Sequence, residues 1–519
     1  MSNFSRARHV PDGVILAIAC VAQFMVVLDV SIVNVALPSI GRDLHYTPSG
    51  LQWVVNAYVL TFAGFLLLGG RAADLFGRRR VFLFGLGLFT IASLAGGLAE
   101  NSTWLTTARA AQGVGGALLS PATLTIIVTT FAPQRRAWAL GIWSAVAGAG
   151  GAAGSILGGV LTSTLSWQWV LFVNIPIGVA GMIAGLLWLT ESRASDRGGP
   201  APRLDIAGAV VVTLGLGALI YAIVGTETHA WGSARTLILL AGAAVLLAIF
   251  AVIELRVART PLVPFGLFRS RSVTGANMVM FLVGAAFFAM WYFLSLYLQN
   301  VLGYSALRAG MAFLPMALAI IIGAQVSSRL IPRLGGRPLL LTGTVVATAG
   351  FAWLSRITPA ASYWQHVFGP GCLIALALGL LFTPLAAAAT AGVSFSEAGL
   401  ASGVLNTSRQ IGGSLGLAVL ATIATDRTQA MLSGDAIAQA DAAGAGARHS
   451  AAIGAALNDG YARAFEVAAA LTLVAFLASF VVPAIRDRRS GAGTSEPASA
   501  RAATTPDPSA ATAGDAAHL

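Results

Sequence analysis

A carboxylate, Asp29, stands inside the apolar run from Gly13 to Leu37, and an arginine, Arg109, stands inside a second run at 104–130. An ionisable group in a hydrocarbon-length run is costly, and it is kept where it moves a proton, binds cargo or pairs with an opposite charge. Asp29 lies about eight residues, roughly 12 Å, inside the end of its run, and Arg109 about five residues, roughly 8 Å. Similar depths let the two pair. A carboxylate withdrawn from water favours its protonated form, and a nearby cation opposes this. Asp29 with Arg109 is therefore a candidate proton-coupling site, at which proton and cargo would compete. Gln112 and Gly113, within a turn of Arg109, offer a hydrogen-bonding group and close packing.

Other clusters suit motion more than chemistry. The turn Gly70-Arg71-Ala72-Ala73-Asp74-Leu75-Phe76-Gly77-Arg78-Arg79-Arg80 sets Asp74 beside Arg78 and Arg79, an acid–base latch that can break when helices move. A similar short, basic, glycine-containing turn recurs at Arg329–Pro338, and duplicated halves mark transporter folds. Gly150, Gly154, Gly158 and Gly159 recur along one run, and small residues at intervals of four let helices approach closely. Ser402, Asn406, Arg409, Gln410 and Gly413 form one polar, small face, suited to interhelical packing or cavity lining. Gln23, Met25, Asn34, Tyr58, Trp143, Asn277, Trp291, Tyr292 and Gln325 are candidates for a substrate cavity, because sites for lipophilic ligands are mostly apolar with a few polar groups.

Composition narrows the classes. The 519 residues are 57% hydrophobic and 10% charged, with mean hydropathy +0.80, too little charge to solvate a folded surface in water. All 31 basic residues are arginine. Without lysine there is no Walker A phosphate grip and no Schiff base. The six histidines form no metal-spaced pair, and Cys20 and Cys372 lie in separate apolar runs, so neither metalloenzyme nor disulfide framework is indicated. The arginines alternate with apolar runs, which reads as membrane topology and not as nucleic-acid binding.

Fourteen runs are long enough to span: 13–37, 50–69, 80–99, 104–130, 138–161, 168–190, 205–226, 235–255, 273–298, 308–330, 338–357, 364–391, 400–424 and 462–484. With the N-terminus inside, inner segments hold 22 arginines and outer ones seven, which predicts both termini in the cytoplasm. The predicted layout is an N-terminal tail (1–12), a six-helix bundle (13–190), an inserted two-helix segment (191–258), a second six-helix bundle (259–485) with an external loop (426–460), and a disordered cytoplasmic tail (486–519). Asp205 is expected to cap the seventh helix, and Glu254 to sit at the interface.

Several segments carry a family resemblance. They are Leu28-Asp29-Val30-Ser31-Ile32-Val33-Asn34-Val35-Ala36-Leu37-Pro38, the Gly70–Arg80 turn, Arg109-Ala110-Ala111-Gln112-Gly113-Val114-Gly115, the glycine-rich fifth run, and Trp167-Gln168-Trp169 before Asn174-Ile175-Pro176-Ile177-Gly178. Leu298-Gln299-Asn300-Val301-Leu302-Gly303-Tyr304-Ser305 and Ser408-Arg409-Gln410-Ile411-Gly412-Gly413 complete the set. In this order they resemble the major facilitator superfamily, and within it the fourteen-helix drug:proton antiporters of the EmrB/QacA type. The resemblance implies an all-α polytopic membrane protein, a monomer in the cytoplasmic membrane with both termini inside. It implies export of small lipophilic compounds driven by the proton gradient, with no cofactor, and a role for Arg109 in proton coupling. Ser155 departs from the resembling motif, which has proline there, and puts a fixed kink in doubt. The alternative is a facilitator that exports or imports one metabolite, such as an endogenous secondary metabolite.

Overall fold

Backbone groups in lipid must be satisfied within the chain, which leaves helices or closed barrels. The computed structural model describes residues 11–192, 205–227, 229–258, 261–359, 362–393, 398–432 and 446–483, and their regular structure is helical. Most of the two predicted tails, part of the loop (433–445) and the side chain of Asp74 lie outside the described residues.

The first bundle contains α1 (Asp12–Asp43), the short α2 (Pro48–Leu51), α3 (Trp53–Phe76), α4 (Arg78–Gly97), α5 (Ser102–Thr130) and α6 (Pro133–Thr164), followed by α7 (Trp169–Phe172) and α8 (Asn174–Trp188). An intervening pair follows, α9 (Ile206–Val224) and α10 (Ala234–Val252). The second bundle contains α11 (Arg271–Leu296), α12 (Ala306–Ala312), α13 (Leu314–Leu334), α14 (Gly336–Leu354), α15 (Gly369–Thr390), α16 (Ala398–Leu432) and α17 (Gly446–Ser479). Among the described residues, twelve helices are long and apolar enough to cross a membrane. The 32-residue α6 and the 35-residue α16 fall outside those twelve.

Local signals explain several boundaries. Asn101 caps α5 by accepting from Trp104 N at 2.9 Å, and Asp205 caps α9 as expected, accepting from Gly208 N at 2.8 Å. The repeated turns share a conformation. Gly77 (φ +104°) ends α3 and Gly335 (φ +80°) ends α13, each in a region that costs a side-chain-bearing residue strain. The region predicted as an external loop begins and ends in helix, since α16 runs to Leu432 and α17 starts at Gly446.

Within the first bundle, α1 packs on α6. A Cβ on Gly154 would lie 2.8 Å from Leu28 O, and one on Gly158 2.7 Å from Ile32 O. The two bundles meet along a seam in which α3 lies against α16, α6 against α12 and α13, and α1 against α11. Hydrogen bonds cross it near the end where α1 terminates. Ser295 Oγ donates to Asn34 O (2.7 Å), Gln299 Nε2 to Val35 O (2.9 Å) and Ser414 Oγ to Asn56 Oδ1 (3.1 Å). At the same end Gly159 meets the backbone of Ala306 and Leu307.

The α9–α10 pair covers part of this seam. Leu216, Ile220 and Ile223 of α9 pack with Leu60 of α3 and Ala418 of α16, and Thr422 Oγ1 of α16 donates to Ile223 O. Its far end is tied down as well. Arg71, at the end of α3, hydrogen-bonds Pro261 O, while Glu254 accepts from Leu262 N (3.1 Å) and Val263 N (3.2 Å). Glu254, just past the end of α10, is buried there, because the 261–263 segment folds over it and supplies donors.

Candidate functional site

Helices α1, α3, α4, α5 and α8 converge on Asp29, which is fully buried. Its Oδ2 accepts from Arg109 Nη1 at 2.5 Å, and its Oδ1 accepts from Gln112 Nε2 at 2.7 Å and Asn174 Nδ2 at 3.0 Å. Arg109 is held in turn. Its Nε donates to Val54 O (3.0 Å), its Nη1 to Gln112 Oε1 (2.6 Å), and its guanidinium lies 4.5 Å from the centre of the Tyr58 ring. Ser93 Oγ accepts from Gln112 Nε2 (2.8 Å) and Asn174 Nδ2 (3.4 Å). Charge-assisted bonds in a low-dielectric interior are strong when every partner is satisfied, and leaving one partner alone is costly. In this structure the carboxylate is paired with the guanidinium.

The expected pair of Asp29 and Arg109 is thus joined directly, with Gln112 in the same network and Gly113 packed on the Tyr58 carbonyl. Direct competition between proton and cargo at Asp29 does not fit this conformation, because no surface of Asp29 is open to a ligand. Sequence reasoning did not single out Ser93 or give Asn174 a role. Asn174 was visible only as part of the Asn174-Ile175-Pro176 motif, and Ser93 carries no signal of its own.

The basic turn is held by a second set of contacts. Glu191, just beyond α8, accepts from Arg79 N (3.3 Å) and pairs with Arg80 (3.6 Å). Arg79 also donates to Gly185 O (3.3 Å) and Leu186 O (2.7 Å), two terminal carbonyls of α8. Arg78 is buried and donates through its backbone to Ser192 O at 3.1 Å. Gly77 approaches the Glu191 carboxylate so closely that a Cβ would collide with it, while Gly70 has room beside Pro121. This ties α3–α4 to α8 within the first bundle. The predicted partnership of Asp74 with these arginines falls on a side chain outside the described residues.

The cavity candidates distribute over several contacts. Tyr58 belongs to the Asp29 cluster. Gln23 accepts from Ser120 Oγ (2.9 Å), Trp143 donates to Thr123 Oγ1 (3.1 Å) and Asn277 accepts from Ser408 Oγ (2.8 Å). Met25 and Tyr292 are buried, and Trp291 packs 4.9 Å from Phe313. Asn34 bonds to Val30 O within its own helix, and Gln325 is exposed on α13. An apolar groove of about 540 Å³ between α4 and α5, lined by Ile91, Trp104 and Thr107 among others, includes none of these nine. Gly412-Gly413-Ser414-Leu415-Gly416 has the spacing of a hydrolase nucleophile elbow, but it lies in mid-helix, with Ser414 bonded to Asn56.

Two helical bundles meeting along a seam, one of them enclosing a buried ion pair, have the architecture of a multi-pass membrane transporter. A family model described as the Major Facilitator Superfamily matches residues 19–417, and the chain belongs to that superfamily. The cephamycin export protein CmcT of Amycolatopsis lactamdurans is 46% identical over 410 residues, covering 79% of this chain and 84% of the relative. The puromycin resistance protein pur8 of Streptomyces alboniger is 41% identical over 421 residues, covering 80% and 82%. Among solved structures, a bacterial homologue of the human lysosomal transporter Spinster superposes with a TM-score of 0.62 at 19% identity, covering 91% of this chain and 97% of that one, a likeness of fold.

Proposed function

We propose that this chain exports small lipophilic compounds from the cytoplasm in exchange for protons, by alternating access, with fourteen crossings and both termini inside. One observation carries the proton coupling: a fully buried Asp29 whose ionised form depends on Arg109, Gln112 and Asn174. Protonation cancels the attraction to Arg109, and the freed guanidinium has to find new partners, which favours a different packing of α1 against α5. The orientation from arginine placement makes the bonded end of the seam the outer one, so the conformation described is sealed outside. One charge moving through 100 mV supplies roughly 2.3 kcal/mol, enough to drive export without nucleotide.

Relatives that bear export or resistance names for antibiotics support the outward direction. They also favour a second reading, export of one specific metabolite in place of a broad range. The cephamycin export protein and the tetracenomycin C resistance and export protein of Streptomyces glaucescens (35% identical over 454 residues, covering 86% of this chain and 82% of the relative) are each named for one compound class.

The test is transport in inverted vesicles with and without an imposed proton gradient, comparing the native chain with Asp29→Asn. Asn174 and Gln112 can still bond an amide, so the variant is expected to insert and fold but to lose gradient-driven transport. Undiminished gradient-driven transport by Asp29→Asn would remove the buried pair from the mechanism.

A further inference from the structure

Two arginines, Arg109 and Arg409, lie well inside the predicted runs, and they are treated in opposite ways. Arg109 has a carboxylate at 2.5 Å. Arg409, in α16, has one hydrogen bond among the described residues, from Nη2 to Asn406 Oδ1 at 2.9 Å, and its Nε is buried without an acceptor. The face of its guanidinium lies 5.6 Å from the ring of Phe382 on α15. No carboxylate of the described residues pairs with it.

The direction of Arg409 follows from the faces of α16. Ile411, Leu415 and Ala418 pack toward α9 on the outside of the seam. Gly403 and Ser414 meet Leu67 and Asn56 of α3 on one flank, and Gly412 and Gly416 meet Phe281 and Ala285 of α11 on the other. Ser402, Asn406, Arg409 and Gly413, at intervals of four, three and four, occupy the remaining face, opposite α9. On that face Phe288 of α11 covers Gly413, and Phe382 of α15 lies beside Arg409. Ser402 on it is exposed, and Asn406 and Arg409 are half-buried, so the stripe is reachable.

A guanidinium removed from bulk water and left without a counter-ion is held at a large desolvation cost unless an anion completes it. Its planar fork is shaped for a carboxylate or a phosphate-like group. We infer that Arg409 is the anion-recognition point of the cargo site: the transported compounds include lipophilic molecules with a carboxylate, seated with the acid on Arg409 and apolar parts on Phe382 and Phe288. The inference rests on the export reading and names the class of cargo. Asp29, in the other bundle, is left to the proton.

The test is equilibrium binding to the purified full chain in lipid nanodiscs, with 9-anthracenecarboxylate and its neutral methyl ester as fluorescent probes. The native chain is expected to bind the acid at least tenfold more tightly than the ester. Arg409→Gln removes that preference while leaving ester binding unchanged, and Arg409→Lys keeps most of it. Asn406→Asp gives the guanidinium a resident counter-ion and also removes the preference, with Arg409 still in place. Ester binding reports that each variant is folded. An acid-to-ester ratio in Arg409→Gln and Asn406→Asp equal to that of the native chain overturns the inference, as does a native chain that does not prefer the acid. Proton coupling is not needed for binding, so failure of Asp29→Asn to block transport leaves this result standing, and the reverse also holds.

Discussion

Asp29 carries three side-chain donors and no exposure, so each donor has a measurable share in it. Asn174→Ala removes one bond to Asp29 and one to Ser93, and leaving a buried acceptor short of a partner typically costs about 1–3 kcal/mol. We expect a lower melting temperature in detergent and slower gradient-driven transport. Unchanged values of both would show that Asn174 is incidental. Arg109→Gln is more severe, because it strands a buried carboxylate, for which about 3–5 kcal/mol is usual. Combining it with Asp29→Asn should restore much of the melting temperature without restoring transport. The pair was legible from sequence because charges inside apolar runs are rare and expensive. Ser93 and Asn174 were not, because a neutral polar residue in such a run looks the same whether it bonds its own helix or reaches a neighbour. Ser31 and Thr90, which bond back to Val27 O and Leu86 O, are examples of the first kind.

At the scale of elements, the runs predicted from hydropathy overlap the helices observed, and the ends show where such reading stops. Hydropathy ends the first run at Leu37, before a proline. Helix α1 continues through Pro38 to Asp43, which places Asp29 about 21 Å from its end. Proline lacks one donor and bends a helix without being obliged to end it. The carbonyl left without its helical donor, Asn34 O, accepts from Ser295 Oγ of α11 at 2.7 Å, and Trp167 Nε1 donates to Asp43 Oδ2 at 2.6 Å at the helix end. Glycine spacing correctly marked close approach along α6, and Ser155 in place of proline leaves α6 as one uninterrupted helix. Gly158→Ala should lower the melting temperature by forcing α1 away from α6, since overpacking costs about 1–3 kcal/mol. Gly141→Ala on the same helix meets open space and is the control, expected to be neutral or slightly stabilising. Equal effects at the two positions would contradict the close approach.

At the scale of the whole molecule, the seam is bonded near one end by Asn34, Val35 and Asn56 against Ser295, Gln299 and Ser414. Alternating access requires those contacts to part once per cycle. Bridging Asn34→Cys and Ser295→Cys with a short thiol cross-linker should stop transport, and a reducible linker should let reductant restore it. Transport that persists with the bridge closed would mean that this end does not open. Which faces of which helices form the seam was not legible in the sequence, because hydropathy reports that a helix is apolar and not what it touches. The place of α9–α10 was hidden for the same reason. Their sequence is uniformly apolar, and only packing shows that α9 rests on both bundles.

That placement makes the protein lopsided toward the surrounding lipid. One flank of the seam, between α3 and α16, is roofed by α9, while the opposite flank, between α6 and α13, has no added helix over it among the described residues. If cargo enters from among the acyl chains, the uncovered flank is the expected side. Tryptophan placed at Leu157 or Ile321, exposed on α6 and α13, should therefore slow extraction of oily compounds from the bilayer, and tryptophan at Val245, exposed on α10, should not. Equal slowing at all three would mean that cargo comes only through the aqueous mouth.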